Sequence, residues 1–269
     1  PGDDCAILIN PPQQFCISCD QLIAGVHFDV HASTRQIAEK LIGRSLSDLA
    51  AAGASPYSCT LTCAFPEDYS NEQSFELCNE LISAAAQYQL AIIGGDCSSA
   101  KQLVLSCTVM GRANGKVPGR NGAKVGGQIY VSRALGGAVD SGRHLSPTPE
   151  LALGKLLVEK CSLQAMIDLS DGLDNDLRRI LRASNVGARV DVDLLPLNTG
   201  CDWQQAVSEG EDYGLLIVLD EAVALTIDDV LKEDSHRLYR VGEITASPTL
   251  DYQQNSNSVT LDKKPFSYS

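Results

Sequence analysis

Positive charge is in short supply in this 269-residue chain, where 21 Lys and Arg face 34 Asp and Glu for a formal net charge of -13. Such a surface cannot displace counter-ions from a nucleic-acid backbone, which excludes nonspecific nucleic-acid binding. Small phosphorylated ligands stay open, because metal ions can lie between an acidic protein and a polyanion. No apolar stretch approaches the length of a membrane span, and no signal-peptide pattern is visible. The chain opens at Pro1 inside what reads as a motif, so an upstream segment is expected. There is no Gly-x-x-x-x-Gly-Lys-Ser/Thr run, so any nucleotide is held without a P-loop. Zinc spacing between His and Cys is absent too.

With 44% hydrophobic and 20% charged residues, the composition is that of a soluble globular protein. Its length, near the limit of a single core, predicts two domains or one elaborate α/β unit. Ten cysteines are many, yet several sit where a small core residue belongs. Along Tyr57-Ser58-Cys59-Thr60-Leu61-Thr62-Cys63-Ala64-Phe65 the odd positions form an apolar strand face, which makes Cys59 and Cys63 core residues. Cys16-Ile17-Ser18-Cys19 has redox-motif spacing but reads as a strand leading into Asp20. Free thiols fit a reducing, cytoplasmic compartment.

Periodicity predicts strands at 5–9 and 14–19 joined by a Pro11-Pro12 turn, with Ser18 and Asp20 on one face. A helix capped by Ser33 or Thr34 runs to Gly53, followed by a strand at 57–65. The next helix, 71–89, takes much of its apolar face from Phe75, Leu77, Leu81 and Ile82. A short buried strand at 90–93 runs into Gly94-Gly95-Asp96, and another spans 103–110. The Gly-, Arg- and Lys-rich stretch 111–127 marks the boundary between domains 1–115 and 116–269. Beyond it come strands at 128–132, 165–168, 188–192, 213–219 and 238–241, and helices at 149–160 and 221–232. Asp171 can cap a further helix carrying Leu173, Leu177, Ile180 and Leu181. The tail from Ser247 reads as polar and loosely held. Strands layered with helices make the fold class α+β.

Six short acidic motifs lie at predicted strand ends or turns: Gly2-Asp3-Asp4, Ser18-Cys19-Asp20, Ser47-Asp48, Gly94-Gly95-Asp96, Asp168-Leu169-Ser170-Asp171-Gly172 and Gly210-Glu211-Asp212. Carboxylates that converge from separate strands repel one another, and divalent cations neutralise them. Oxygen donors suit Mg²⁺, a hard ion that bridges carboxylates to phosphates.

In their order, and with Gly25-Val26-His27-Phe28, these motifs closely resemble those of the thiamine-monophosphate kinases, a family of the aminoimidazole-ribonucleotide-synthase superfamily. The resemblance implies a two-domain fold with ATP in the groove between domains. It implies a homodimer whose N-terminal sheets join into a barrel, with a C-terminal α/β sandwich. It implies that Asp4, Ser18, Cys19, Asp20, Asp48, Asp96, Asp168 and Asp171 stand at magnesium positions, with catalysis turning on Asp48, Asp168 and Asp171. Arg120, Ser170 and Asp96 would serve the nucleotide, while His27 and Glu211 would face thiamine monophosphate. Phe266 or Tyr268 would stack on its ring. Cys19 stands where the family has a hydroxyl residue, and Glu209 replaces a glycine. Those departures keep open a different ATP-using member of the superfamily and a nucleotide-binding paralogue without turnover.

Overall fold

The computed structural model describes residues 3–10, 13–29, 31–232, 236–264 and 266. Gly2, the Pro11-Pro12 turn and Tyr268 lie outside the described residues. The first sheet contains β1 (Ala6–Asn10), β2 (Gln13–Ile23), β3 (Ala54–Pro66), β4 (Ala91–Ala100) and β5 (Val104–Ala113), in the spatial order β1-β2-β5-β3-β4. Helices α1 (Thr34–Ala51) and α2 (Asn71–Gln87) pack beside each other against it. All neighbouring strands are antiparallel except β3 and β4, which run parallel because α2 carries the chain back between them.

Both helices begin at reciprocal caps. The Ser33 hydroxyl accepts from Gln36 N at 3.2 Å while the Gln36 side chain accepts from Ser33 N at 3.0 Å, and Ser70 with Gln73 repeats the device. In α2 the buried stripe is Leu77, Leu81, Ala84 and Ala85, whereas Phe75 and Ile82 are 70% and 56% exposed. At about 100° per residue Phe75 points roughly 200° away from Leu77, so one stripe cannot hold both. On β3, Cys59, Leu61 and Cys63 are buried as alternation predicts. Tyr57 is exposed instead, because the β3–β5 register shifts between Pro56 and Ser58. The segment expected as a short buried strand ending at Gly94 is a ten-residue edge strand running through Gly94-Gly95-Asp96. Among the described residues it pairs with β3 alone, and Ile92 and Ile93 are exposed.

Seven strands form the second sheet: β6 (Gln128–Val131), β7 (Leu163–Asp168), β8 (Gly187–Asp191), β9 (Leu215–Leu219), β10 (Tyr239–Thr245), β11 (Leu250–Gln254) and β12 (Asn257–Val259). Their order is β12-β11-β8-β10-β6-β9-β7. Its helices are α3 (Leu151–Lys160), α4 (Leu173–Ser184), α5 (Trp203–Ser208), α6 (Glu221–Ala224) and α7 (Ile227–Lys232). All five residues of β9 are buried because both faces of this sheet are covered. Leu216 and Val218 join a core with α4, while Leu215, Ile217 and Leu219 join one with α3 and α7. The helix expected over 221–232 breaks at Leu225-Thr226 into α6 and α7. The segment 250–259, expected to be loose, is ordered. β11 pairs parallel with β8, and buried Tyr252 donates its hydroxyl to Asp174 Oδ1 at 2.8 Å.

The two units meet at α1, whose Ala50 and Ala51 lie in the α3–α7 core. Gly154 makes this approach possible, since a Cβ there would collide with the Ala50 carbonyl. Gly154→Ala should therefore push α3 off α1 and cost about 1–3 kcal/mol. A thermal midpoint equal to that of the parent protein would refute this close contact.

Candidate active site

One polar stripe runs into the buried part of α1. Lys40, Arg44, Ser47 and Asp48 fall at i, i+4, i+7 and i+8, on one face, and at 1.5 Å per residue the stripe is about 12 Å long. Its two ends carry opposite charge.

At the Asp48 end, strand alternation points Ser18 and Asp20 of β2 toward α1, alongside buried Cys16 and Leu22. The Ser18 hydroxyl donates to Asp48 Oδ2, and Arg44 Nε lies 3.1 Å from Asp20 Oδ1. Asp168, the last residue of β7, receives the Ser47 hydroxyl at 2.8 Å. Asp4 is held by Arg120 Nη2 at 2.9 Å, while Arg120 N donates to Asp3. Carboxylate oxygens of Asp4, Asp48 and Asp168 thus lie within 4.8 Å of one another. Burial holds Asp48 and Asp168 well above the usual carboxylate range, and the neighbouring negative charges add to the effect. Burial also raises Asp4, against the pull of Arg120. Asp20 Oδ2 is buried without a hydrogen-bond partner.

Asp171 does not cap α4. Gly172 takes that position at φ +91°, where a Cβ would stand 2.7 Å from Glu209 O. The Asp171 side chain instead meets Arg179, and its backbone N–H donates to Asp176 Oδ2 at 3.0 Å. Asp176 is wholly buried, and burial pushes its carboxyl up to about 8. Ser170 and Leu169 carbonyls accept from Glu211 N and Tyr213 N, each at 2.8 Å, fastening this loop to the Glu211 loop.

At the other end, buried Lys40 places Nζ 2.5 Å from Glu211 Oε2, and Tyr213 donates to the same oxygen at 3.2 Å. Glu211 and Tyr213 both adopt positive φ, +69° and +51°. His27 Nδ1 accepts from Ile23 N at 3.1 Å, so its neutral ring carries the proton on Nε2. Burial, then Arg44, lowers the His27 proton affinity, and burial followed by Lys40 does the same to His144. The Phe266 ring lies on Gly210, beside Glu211, with its backbone tied to Ser208 O and Asn175 Nδ2. Glu209 turns away from this end and braces the glycine turn, accepting from Gly137 N at 2.7 Å. Asp212 holds the same turn through Gly136 N at 3.0 Å. Burial pushes the Asp212 carboxyl up to about 6.

Two residues implied as magnesium positions are not brought to this cluster within the chain. Cys19 alternates onto the opposite face of β2, where Thr108 Oγ1 donates to its sulfur at 3.2 Å. Asp96 pairs with Thr62 on edge strand β4, three strand spacings or about 14 Å from β2. Conversely, Lys40, Arg44, Asp176 and Arg179 belong to the site but escaped the motifs. The readable signal was Lys40 and Arg44 breaking the apolar helix one and two turns before Asp48.

The AIR synthase related protein N-terminal domain model matches residues 2–113 and its C-terminal counterpart residues 123–253. Thiamine-monophosphate kinase of Salmonella typhimurium is 34% identical, with 99% of this chain and 90% of that protein covered. That of Rhodopirellula baltica is also 34% identical, covering 84% and 78%. The crystal structure of thiamine-monophosphate kinase from Stenotrophomonas maltophilia K279a is 31% identical at a TM-score of 0.81, covering 96% and 90%. A chain described as AaThiL complexed with AMPPCP and TMP shares the fold at a TM-score of 0.84 and 22% identity, covering 99% and 91%. With carboxylates gathered between two AIR-synthase-type domains and relatives matched over most of their length, this chain belongs to the thiamine-monophosphate kinase family.

Proposed function

We propose that this protein transfers the γ-phosphoryl group of ATP to thiamine monophosphate, giving thiamine diphosphate by direct in-line displacement. The observation that carries this reading is the α1 stripe, with Lys40 at one end, Asp48 at the other and Arg44 between them. Family membership and the AaThiL relative complexed with AMPPCP and TMP support it.

The acceptor is a phosphate monoester with a second pKa of about 6, so at neutral pH it is already a nucleophile. No strong general base is needed, which agrees with a His27 whose proton affinity burial lowers, making it a weak base. The obstacle is bringing two anions into line. The donor set fits magnesium: hard oxygens of Asp4, Asp48 and Asp168 converge, and Asp20 offers a buried oxygen with no other partner. Those residues, with Ser18 and Asp171 at the margin, would hold Mg²⁺. When bound there, Mg²⁺ supplies charge compensation to the phosphates. Arg120 and Ser170 border the same cluster and serve the nucleotide. At the other end Lys40 binds the acceptor phosphate, Glu211 holds Lys40 in position, and Phe266 offers a ring to the thiamine. Cys19 faces away from this cluster, so a thiol there removes no oxygen donor from the Asp4–Asp48–Asp168 group, and turnover is favoured over a silent paralogue.

We further propose a division of the chain near residue 115 and a homodimer. The unpaired β4 edge and the polar sheet face bearing Cys19, Thr60, Thr62, Asp96 and Thr108 are the surface on which a second copy closes a barrel. Ten free cysteines suit the cytoplasm.

Asp48→Asn and Asp168→Asn should each lower kcat by at least about 100-fold. Thiamine diphosphate formation from ATP, Mg²⁺ and thiamine monophosphate is the assay, and undiminished turnover in both variants would sink the site. Lys40→Met leaves the Glu211 charge buried without its cation, costing about 3–5 kcal/mol, whereas Lys40→Met with Glu211→Gln should recover most stability but not the KM for thiamine monophosphate. Equal KM in the double variant and the parent would show that the acceptor phosphate binds elsewhere.

The pH dependence has a definite sign. Asp212 at about 6 and Asp176 at about 8 stand above their unfolded values, so the native state binds extra protons. The stability they contribute is complete below the unfolded carboxylate range and is lost as pH rises through about 6 and then about 8. Asp48 and Asp168, raised in the same direction, must be deprotonated to hold a cation, so the thermal stabilisation given by Mg²⁺ should grow with rising pH. A pH-independent Mg²⁺ effect in calorimetry would contradict this.

A further inference from the structure

The carboxylates of the active site divide into two halves with different compensation. Asp4, Asp20, Asp48 and Asp168 are served by Arg120 and Arg44, each of which pairs with one of them. Asp171 and Asp176 share a single guanidinium, that of Arg179, which bridges both with separate nitrogens. The geometry is that of a fork: Nη1 stands 2.5 Å from Asp176 Oδ1, and Nη2 meets Asp171 Oδ2. The three residues lie on one side of the first turns of α4, and the Asp171 N–H bond to Asp176 Oδ2 locks the two acids into a common unit.

The members of this unit differ in freedom. The Asp176 side chain is completely buried, that of Asp171 is 26% exposed, and that of Arg179 is 39% exposed. Arg179 is therefore the one with room to move. Its charge is felt by buried Asp168, and it repels Arg120, so its head lies near the centre of the site. In this position it does what a divalent cation would do there: it balances two carboxylates at the edge of the Asp4–Asp48–Asp168 cluster. A long cationic side chain in that place has an obvious second position, because phosphate oxygens brought to the cluster present the same bidentate geometry as a carboxylate.

We propose that Arg179 is the resident counter-ion of the Asp171–Asp176 pair, competing with a divalent cation for Asp171 and turning its guanidinium onto the nucleotide phosphates when cation and nucleotide are both bound. This rests on the proposed kinase reading for its ligands, but not for its geometry. It makes Arg179 a two-position residue. With the cation alone it is a competitor, and with the nucleotide present it is a ligand. The two effects have opposite sign, which a merely structural arginine cannot produce.

The test measures binding rather than turnover. In Arg179→Gln, Mn²⁺ binding without nucleotide, followed by electron paramagnetic resonance, should become about three- to tenfold tighter, since the lost competitor is a partly exposed bidentate pair. AMPPCP binding at saturating Mg²⁺, followed by calorimetry, should become about tenfold weaker through loss of a charged phosphate contact. Arg179→Lys, which keeps the charge without the fork, should hold Mn²⁺ affinity near the parent value while recovering only part of the nucleotide affinity. Arg179→Gln with Asp176→Asn removes the buried acid along with its partner and guards against a folding defect. It should show the same inversion. Both affinities falling together, or neither changing, in the single and double variants would overturn the proposal. So would tighter Mn²⁺ with unchanged AMPPCP. If the parent protein binds no AMPPCP at all, the kinase reading fails instead, and Mn²⁺ affinity alone then decides the counter-ion role.

Discussion

Carboxylates forced together in a poorly solvated place set the terms for the rest of this structure. Three acids within 4.8 Å, at an effective dielectric constant near 20, repel by about 3 kcal/mol for each pair. Three such pairs cost about as much as the whole stability of an ordinary domain. The protein cannot keep them all ionised unaided: burial first, and this repulsion second, hold protons on Asp48 and Asp168 well above the normal carboxylate range. Arg44, Arg120 and Arg179 give partial relief, and Ser18 and Ser47 donate the remaining hydrogen bonds. A site left short of positive charge in this way is prepared for a cation and, through the cation, for polyphosphate.

Two units contribute to this arrangement, and α1 is where they join. Its apolar positions, Leu41, Ile42, Leu46 and Leu49, are fully buried in the first core, and Ala50 and Ala51 belong to the core of the second. Cross-domain pairs run along the polar stripe: Lys40 with Glu211 and Ser47 with Asp168. A buried ion pair such as Lys40–Glu211 adds little net stability once desolvation is counted. What it gives is register, because any other docking of the two units leaves an unpaired charge in the interior. The same contact that orients the domains therefore orients the acceptor end of the site.

Much of this arrangement is legible in the amino-acid sequence. Alternation in β2 puts Ser18 and Asp20 on one face, and helical spacing finds the buried side of α4 through Leu173, Leu177, Ile180 and Leu181. Alternation also carries the information that sets Cys19 apart, since a residue between Ser18 and Asp20 must point the other way. What escaped had no local signature. Asp171 precedes a helix and reads as its cap, but the cap is Gly172, and only an arginine eight residues on explains where the carboxylate goes. Tyr252 sits in a polar tail, and its buried bond to Asp174 depends on a parallel pairing with β8 that sequence periodicity does not encode. β4 reads as buried because Ile92 and Ile93 are apolar, yet its place at the sheet edge is decided by topology.

The separation between the two charged ends then follows from packing rather than from the charges themselves. A site carried on loops would let Lys40 and Asp48 drift with solvent and ligand, but both are fixed to one helix. Rotating α1 by one residue would turn the stripe by about 100° and drive Leu46 and Leu49 out of the core, at roughly 1.5–3 kcal/mol for each side chain exposed. Sliding it would bring a side chain at Gly43 against Pro147, where a Cβ has no room. Apolar contacts on three sides thus hold cationic and acidic groups at a set distance on the fourth. The electrostatic strain at the acid end cannot relax by moving the helix. It can relax only by taking up protons or positive charge, and that couples the hydrophobic core of this protein to the chemistry of its ligands.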